Sequence, residues 1–183
     1  MRKLIKNNKS KMYVIQEMVT TEKSYLKGLE WLAKWKKELS ENNILNDNEI
    51  TELFSNVFDN IVKLSQTFYE DITKRYESWS SESEVGDIYL KILPFFKLYT
   101  DYCNNNDKAG KTLTKLMDKN KKFKEYILQE EKKAGLTFES YLITPIQRIP
   151  RYEMLLNTAL KYTNKNKSDY EKLKKAADLV HEV

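Results

Sequence analysis

Residues 10–39 contain the longest stretch of helical periodicity in the sequence. Apolar side chains recur at spacings of three and four, which places them on one side of an α-helix. They are Ile15, Met18, Val19, Tyr25, Leu26, Leu29 and Leu32. We therefore expect one long amphipathic helix at the start of the fold.

The composition favours helices elsewhere too. Only 4 Gly and 3 Pro occur among 183 residues, and 32% of the residues are charged, so turns are scarce. We find no internal repeat and no strand-like alternation of useful length. The sequence predicts an all-α fold, an elongated bundle of about six helices, forming a single domain over residues 1–183 with its core at about residues 10–183.

Interruptions of the periodicity divide the rest of the chain. Residues 40–47 and 78–86 are rich in turn formers, Asn46 or Asp47 can cap the second helical region, and Gly135 suits a left-handed C-cap. Further helices are expected at 49–79, 87–103, 109–117, 123–130 and 138–162. The first of these should break near Asn56, and the second should bend near Pro94 and end at 104–106. A last helix is expected to start with Ser168 as its cap and to run to Val183 without a stop signal.

Glu22 interrupts the apolar stripe of the first helix. It lies seven residues after Ile15 and seven before Leu29, so a carboxylate falls in the middle of the packing face. An unpaired buried carboxylate is expensive. Either Glu22 forms an ion pair with Arg148 or Arg151 inside the protein, or the helix reaches the surface there and offers the charge to a partner.

Residues 138–156 form an apolar stretch with two prolines. Thr144 can cap a helix whose first residue is Pro145, but Pro150 then falls inside the helix, at a cost of roughly 3 kcal/mol. Helical projection places four polar residues on one side: Ser140, Thr144, Gln147 and Arg151. Apolar residues occupy the other side, namely Leu142, Ile149, Leu156 and Leu160. One face is expected to pack and the other to present polar groups.

The residues needed for covalent catalysis are missing. The one histidine, His181, lies near the chain end, no Cys/His spacing suits zinc, and the four glycines are isolated. We expect no covalent enzyme activity, no metal and no cofactor. Cys103 is the only cysteine, and neither a signal peptide nor an apolar run of membrane-spanning length occurs, so a cytoplasmic location is expected.

The net charge of +5 comes partly from lysine clusters at 108–124 and 161–175. Acidic residues are interleaved with these lysines, and no Arg-rich or aromatic-basic repeat accompanies them. Solvated helix faces are the favoured interpretation, and we expect no nucleic-acid partner. Recruitment to an anionic membrane through these basic patches is the alternative.

Three stretches resemble one known family. Residues 141–156, YLITPIQRIPRYEMLL, are similar to the third conserved region of the Dbl homology (DH) domain, the exchange-factor domain for Rho-family GTPases. Residues 14–25, VIQEMVTTEKSY, resemble its first region, and residues 85–103 resemble its second. The order and spacing are those of the family, and the similarity extends over about residues 10–183.

The resemblance implies a fold and a mechanism. The fold would be an elongated bundle of about six helices with one exposed face for the GTPase. The domain would bind the switch regions of a Rho-family small GTPase, disturb its magnesium site and promote GDP release, so that GTP can load. No covalent bond would be made or broken. The alternative is a non-catalytic helical scaffold, or a degenerate DH domain that binds a GTPase without exchange.

The resemblance also implies roles for individual residues. Glu22 resembles the glutamate that engages the first switch, and Arg151 occupies the place of the basic residue that contacts the second. Gln147 and Pro150 would line the same surface, together with Thr144 and Ser140 of the polar stripe. Arg148 and Tyr152 are interpreted as structural.

Three features depart from the family pattern. Glu153 stands where the family usually has another proline. The asparagine that the family's last helix supplies to the second switch would lie beyond Val183, so we expect the C-terminal helix to be truncated. A PH domain commonly follows a DH domain and is absent from this chain, so we expect one in the full-length protein.

Overall fold

The computed structural model describes residues 1–183, and every regular element in it is helical. The all-α prediction is confirmed, with nine α-helices rather than about six. They are α1 (Arg2–Glu41), α2 (Asp47–Phe54), α3 (Phe58–Glu77), α4 (Gly86–Ile92), α5 (Lys97–Lys119), α6 (Lys121–Ala134), α7 (Phe138–Leu142), α8 (Thr144–Lys161) and α9 (Ser168–His181); a 3-10 turn covers Leu93–Phe95. No helix combines the length and apolar character that crossing a bilayer requires.

The start of the chain is more helical than expected. Helix α1 begins at Arg2 instead of residue 10, because residues 2–9 include good helix formers and neither glycine nor proline. The Asn46 cap is confirmed: its side chain accepts a hydrogen bond from the Glu49 amide, and the Glu49 carboxylate accepts one from the Asn46 amide. The break near Asn56 is also present, between α2 and α3.

The expected helix end at residues 104–106 was wrong. Helix α5 runs through these asparagines to Lys119, because Ala109, Thr112 and Leu116 continue its buried side and a few asparagines cost under about 1 kcal/mol each in a helix. The expected bend near Pro94 takes the form of the 3-10 turn between α4 and α5.

Residues 138–156 form parts of two helices. Helix α7 ends at Leu142, and α8 starts at Thr144 with Pro145 in its first turn and Pro150 in its interior. Gly135 takes the expected left-handed conformation at the end of α6, with φ of 91°.

The last helix differs from expectation at both ends. Ser168 is its first residue and makes no capping hydrogen bond; instead its hydroxyl binds the Glu84 carboxylate. The helix ends at His181 and does not continue to Val183.

The helices form two compact units, which are described separately. The first unit consists of Met1–Tyr25, Lys63–Lys97 and Gln147–Val183, and the second of Leu26–Val62 and Leu98–Ile146. Each has its own buried aromatic core: Phe68, Tyr89, Phe96 and Tyr152 in the first unit, and Trp35, Phe54, Phe58, Tyr99, Phe123 and Phe138 in the second.

Asp169 joins three segments of the first unit. Its carboxylate accepts hydrogen bonds from Lys11 Nζ at 2.7 Å and from the backbone amides of Val85 and Gly86 at 2.8–3.2 Å. A side chain at position 86 would come within 2.6 Å of the Lys172 Cβ, so only glycine fits this close approach. The start of α9 is thereby fixed against α1 and the start of α4.

Phe138 lies at the centre of the second unit's core. Its ring lies 5.5 Å from Trp35, 5.6 Å from Phe54 and 6.2 Å from Phe123, measured between ring centroids. Edge and stacked contacts of this kind add to the free energy gained from apolar burial.

Candidate functional site

Glu22 is enclosed in the first unit with no exposed surface. Its Oε2 accepts hydrogen bonds from Arg148 Nε at 3.0 Å and Nη2 at 2.7 Å. Ser65 Oγ donates to Oε1 at 2.7 Å, and the Tyr152 hydroxyl lies 2.8 Å from both carboxylate oxygens. Of the two interpretations of Glu22, the structure shows the internal ion pair, and its partner is Arg148.

Arg148 is itself only 3% exposed and lies among aromatic rings. Its guanidinium carbon is 4.5 Å from the Tyr152 ring centroid and 5.6 Å from that of Tyr25. Burial alone would lower the pKa of Arg148, but the Glu22 charge more than compensates and the pKa is raised. Arg148 therefore keeps its charge, and removing one partner of this buried pair would leave the other without its counter-charge.

This network lies on both sides of Pro150 in α8. The proline lies between Arg148 and Tyr152, and both of these side chains are bound to Glu22. Their hydrogen bonds hold the helix against α1 on each side of the proline. Arg148 and Tyr152 are thus structural residues of α8.

The opposite side of α8 presents polar groups to solvent. Gln147, Pro150 and Arg151 are exposed, whereas Arg148 and Tyr152 are buried. Residues four apart share a face of the helix, so Gln147 and Arg151 are exposed together and Arg148 and Tyr152 are buried together. Gln147 and Arg151 of the expected polar side are therefore exposed on α8.

Helices α1 and α8 run antiparallel within the first unit. Thr21 on α1 accepts a hydrogen bond from Arg148 Nη2 at 3.1 Å. Lys11, nearer the start of α1, binds Asp169, which follows the end of α8. Moving towards the start of α1 therefore means moving towards the end of α8.

Glu17 is the functional candidate that the sequence reasoning missed. Glu17 lies one turn before Thr21 on α1, and Arg151 lies one turn after Arg148 on α8. Because the two helices are antiparallel, both residues are displaced in the same direction from the Thr21–Arg148 contact. Both are exposed, and neither has an ion-pair partner in the chain. No sequence signal singled Glu17 out, because it lies outside the apolar stripe and does not interrupt it. We call the exposed group Glu17, Gln147, Pro150 and Arg151 the α1/α8 surface.

Two of the predicted site residues belong to the second unit. Ser140 is exposed on α7, and its amide donates to the hydroxyl of Thr137, the cap of that helix. Thr144 is half-buried at the start of α8 and donates its hydroxyl to the Tyr141 carbonyl at 2.7 Å. Both side chains serve local helix-end contacts in this structure.

The few residues that are often catalytic or metal-binding lie in ordinary surroundings. No group of three or more His, Cys, Asp or Glu side chains is arranged to hold a metal ion. His181 pairs with Glu153 at 2.7 Å on an exposed surface, and burial raises the pKa of the Cys103 thiol, which keeps it protonated at neutral pH. The α1/α8 surface presents charged and amide groups of the kind that recognise another protein.

The sequence matches one family model and is similar to several known proteins. The family model that matches is the RhoGEF domain, over residues 14–183. The chain is 27% identical to the mouse FYVE, RhoGEF and PH domain-containing protein 2, covering 91% of this chain and 27% of that protein. It is 31% identical to the Rac guanine nucleotide exchange factor JJ of Dictyostelium discoideum, covering 97% of this chain and 15% of that protein. The chain thus spans about a quarter or less of these relatives.

Solved structures show the same fold. The linker-DH/PH domains of p115-RhoGEF match with a TM-score of 0.88 at 21% identity, over 97% of this chain and 55% of that one. The DH/PH fragment of PDZRHOGEF, solved in complex with human RhoA, matches with a TM-score of 0.86 at 22% identity, over 96% of this chain and 52% of that one. With a family match over residues 14–183 and this fold, the chain belongs to the RhoGEF domain family, whose members act as guanine nucleotide exchange factors.

Proposed function

We propose that this chain binds the switch regions of a Rho-family small GTPase and accelerates release of its GDP, so that GTP can load. The family match over residues 14–183 carries the proposal. The likeness to a DH/PH fragment solved with RhoA supports the choice of partner.

Exchange of this kind needs binding energy and no bond chemistry. By holding the switch segments in a shape that disturbs the magnesium site, the chain binds the nucleotide-free GTPase better than the loaded form. The exchange factor and the nucleotide then weaken each other's affinity for the GTPase by the same factor. The charged and amide groups of the α1/α8 surface can supply such binding energy.

The contact region proposed in the first unit is the α1/α8 surface. Arg151 offers a planar, permanently charged fork for carboxylates or carbonyls of the second switch. Glu17 supplies an exposed carboxylate for the first switch, and Gln147 adds an exposed amide on α8. In the second unit, Ser140 and Thr144 remain predicted GTPase contacts.

Glu22 is proposed to act through α8. The resemblance implied that Glu22 itself engages the first switch, but the free chain encloses its carboxylate completely. A direct contact would have to break the hydrogen bonds from Arg148, Tyr152 and Ser65. We therefore propose that Glu22 positions the helix that carries Gln147 and Arg151, while Glu17 makes the acidic contact.

The test is release of a fluorescent GDP analogue from a panel of Rho-family GTPases. The intact chain should accelerate release from at least one member. Arg151→Ala should reduce that acceleration by about tenfold or more, as expected when an interface arginine is truncated. Glu17→Ala should act in the same direction. Lys124→Ala, which removes an exposed cation of α6, is the matched control and should leave release unchanged.

Two outcomes would contradict parts of the proposal. If the chain binds a GTPase without accelerating release, the scaffold alternative replaces exchange. If Arg151→Ala and Lys124→Ala behave alike while circular dichroism stays helical, the α1/α8 surface is not the contact region.

A further inference from the structure

The start of α1 projects from the first unit as an exposed amphipathic helix. Every residue from Met1 to Lys6 is exposed, including Leu4 at 57% and Ile5 at 64%. Helical projection separates an apolar side from a basic side. The apolar side carries Met1, Leu4 and Ile5, and the basic side carries Arg2, Lys3, Lys6 and Lys9. Exposed aliphatic residues beside a basic helix face are typical of helices that lie in a membrane interface.

A second set of cations lies at the same end of the first unit. A groove of about 600 Å³ is bounded by the first turns of α1, by the loop at 81–84 and by the connection 161–168. Lys3 and Leu4 line it together with Lys161, Lys165 and Lys167. The structure thus brings together basic residues that are far apart in the sequence.

Most of these cations are not neutralised within the chain. Of the acids at this groove, Asp169 pairs with Lys11, Glu82 with Lys167 and Glu84 with Lys172. The cations left without a carboxylate partner are Arg2, Lys3, Lys6, Lys9, Lys161 and Lys165. This end of the unit therefore carries a strong positive charge next to exposed aliphatic side chains.

We propose that residues 1–9 and the connection 161–167 together form a docking surface for an anionic lipid bilayer. Leu4 and Ile5 enter the boundary between headgroups and acyl chains, while the lysines bind anionic headgroups. A soluble polyanion would satisfy the charge but leave the aliphatic side chains in water, whereas a bilayer accommodates both. The inference does not depend on the exchange proposal.

The docking surface leaves the α1/α8 surface free. Ten residues of α8 separate Arg151 from Lys161, which corresponds to about 15 Å along the helix. The two surfaces therefore share no residue.

The test is co-sedimentation of the chain with vesicles of phosphatidylcholine alone and with added phosphatidylserine, at low and high salt. The chain should bind only the anionic vesicles, and high salt should weaken the binding. The triple variant Lys3→Glu, Lys161→Glu and Lys165→Glu should lower the affinity at least about tenfold, because each unpaired cation near the surface contributes. Leu4→Ser with Ile5→Ser should also lower it about tenfold through lost apolar insertion.

The matched control is the triple variant Lys111→Glu, Lys115→Glu and Lys119→Glu on α5, all exposed lysines. It changes the net charge equally and should retain binding. Equal loss in both triple variants would overturn the proposal in favour of non-specific charge, as would equal binding to both kinds of vesicle. Undiminished binding by the Leu4→Ser, Ile5→Ser variant, or full competition by soluble glycerophosphoserine, would show that headgroup charge alone is recognised and would also overturn it. Circular dichroism checks that each variant is folded.

Discussion

The first unit buries two carboxylates, and it satisfies them in different ways. Glu22 is bound by side chains alone, from Arg148, Tyr152 and Ser65. Asp169 is bound by the Lys11 side chain and by the backbone amides of two residues that open α4. Glu22 therefore fixes the orientation of side chains on α8, whereas Asp169 fixes the path of the backbone at the start of α9.

The partners also differ in their freedom to reach water. Arg148 is planar, lies against the Tyr152 ring and is 3% exposed, so its charge stays buried when Glu22 is removed. Lys11 is 6% exposed on a flexible stem, and such a stem can turn towards solvent. The two ion pairs should consequently differ in what their loss costs.

Arg148→Ala should have the largest effect. It leaves the Glu22 charge with no cation in a site of 0% exposure, and breaking a buried pair in this way costs about 3–5 kcal/mol. Urea denaturation followed by circular dichroism measures the change in the free energy of unfolding.

A double replacement tests whether the instability of Arg148→Ala comes from the unpaired buried charge. Glu22→Leu combined with Arg148→Met removes both charges, and such apolar replacement of a buried pair is often close to neutral. The double variant should therefore recover much of the stability lost in Arg148→Ala. A double variant as unstable as the single one would mean that packing, and not the isolated charge, dominates at this site.

Asp169→Ala should have a smaller effect, about 1–3 kcal/mol. It leaves two backbone amides and Lys11 without their acceptor, but Lys11 can turn to solvent and each lost hydrogen bond is modest. Asp169→Asn is the matched variant, since it keeps one acceptor oxygen and should lose less. If Asp169→Ala destabilises more than Arg148→Ala in the same denaturation series, the contrast between the two carboxylates is incorrect.

Much of the fold follows from the sequence because periodicity and capping are local. The stripe in α1, the Asn46 cap and the left-handed Gly135 each depend on a few neighbouring residues. The errors arose where tertiary packing overrides weak local signals. Residues 104–106 looked like a helix end, yet the buried side of α5 continues past them.

The site was predictable only in part, for the same reason. The stripe pattern showed that Glu22 was unusual, but its choice between Arg148 and Arg151 depends on where α8 packs. Glu17 did not interrupt any pattern, and its exposure beside Thr21 emerges only when α1 and α8 are paired. The role of Asp169 could not be predicted, because its partners Lys11 and Gly86 are distant in sequence.

The smallest loss of stability is expected for a third carboxylate of the first unit, the partly exposed Asp87. Arg75 donates to both of its oxygens, at 2.8 and 2.9 Å, and these hydrogen bonds hold the pKa of Asp87 below its ordinary value of 3.8. The pair is therefore an exposed counterpart to the two buried ones.

The pKa direction fixes how this pair responds to acid. Because the folded pKa is depressed, the unfolded chain binds more protons between the two pKa values, so the stabilisation is fully present above pH 3.8 and is lost as pH falls through the folded pKa. Asp87→Asn should be slightly less stable at neutral pH and should lose less stability on acidification, as measured by urea midpoints from pH 7 downwards. Because the Asp87 side chain is 42% exposed, solvent screening should keep the difference well below that of Arg148→Ala. An acid response identical to that of the unaltered chain would show that the Arg75–Asp87 pair does not contribute to the stability of the unit, unlike the enclosed Glu22 and Asp169.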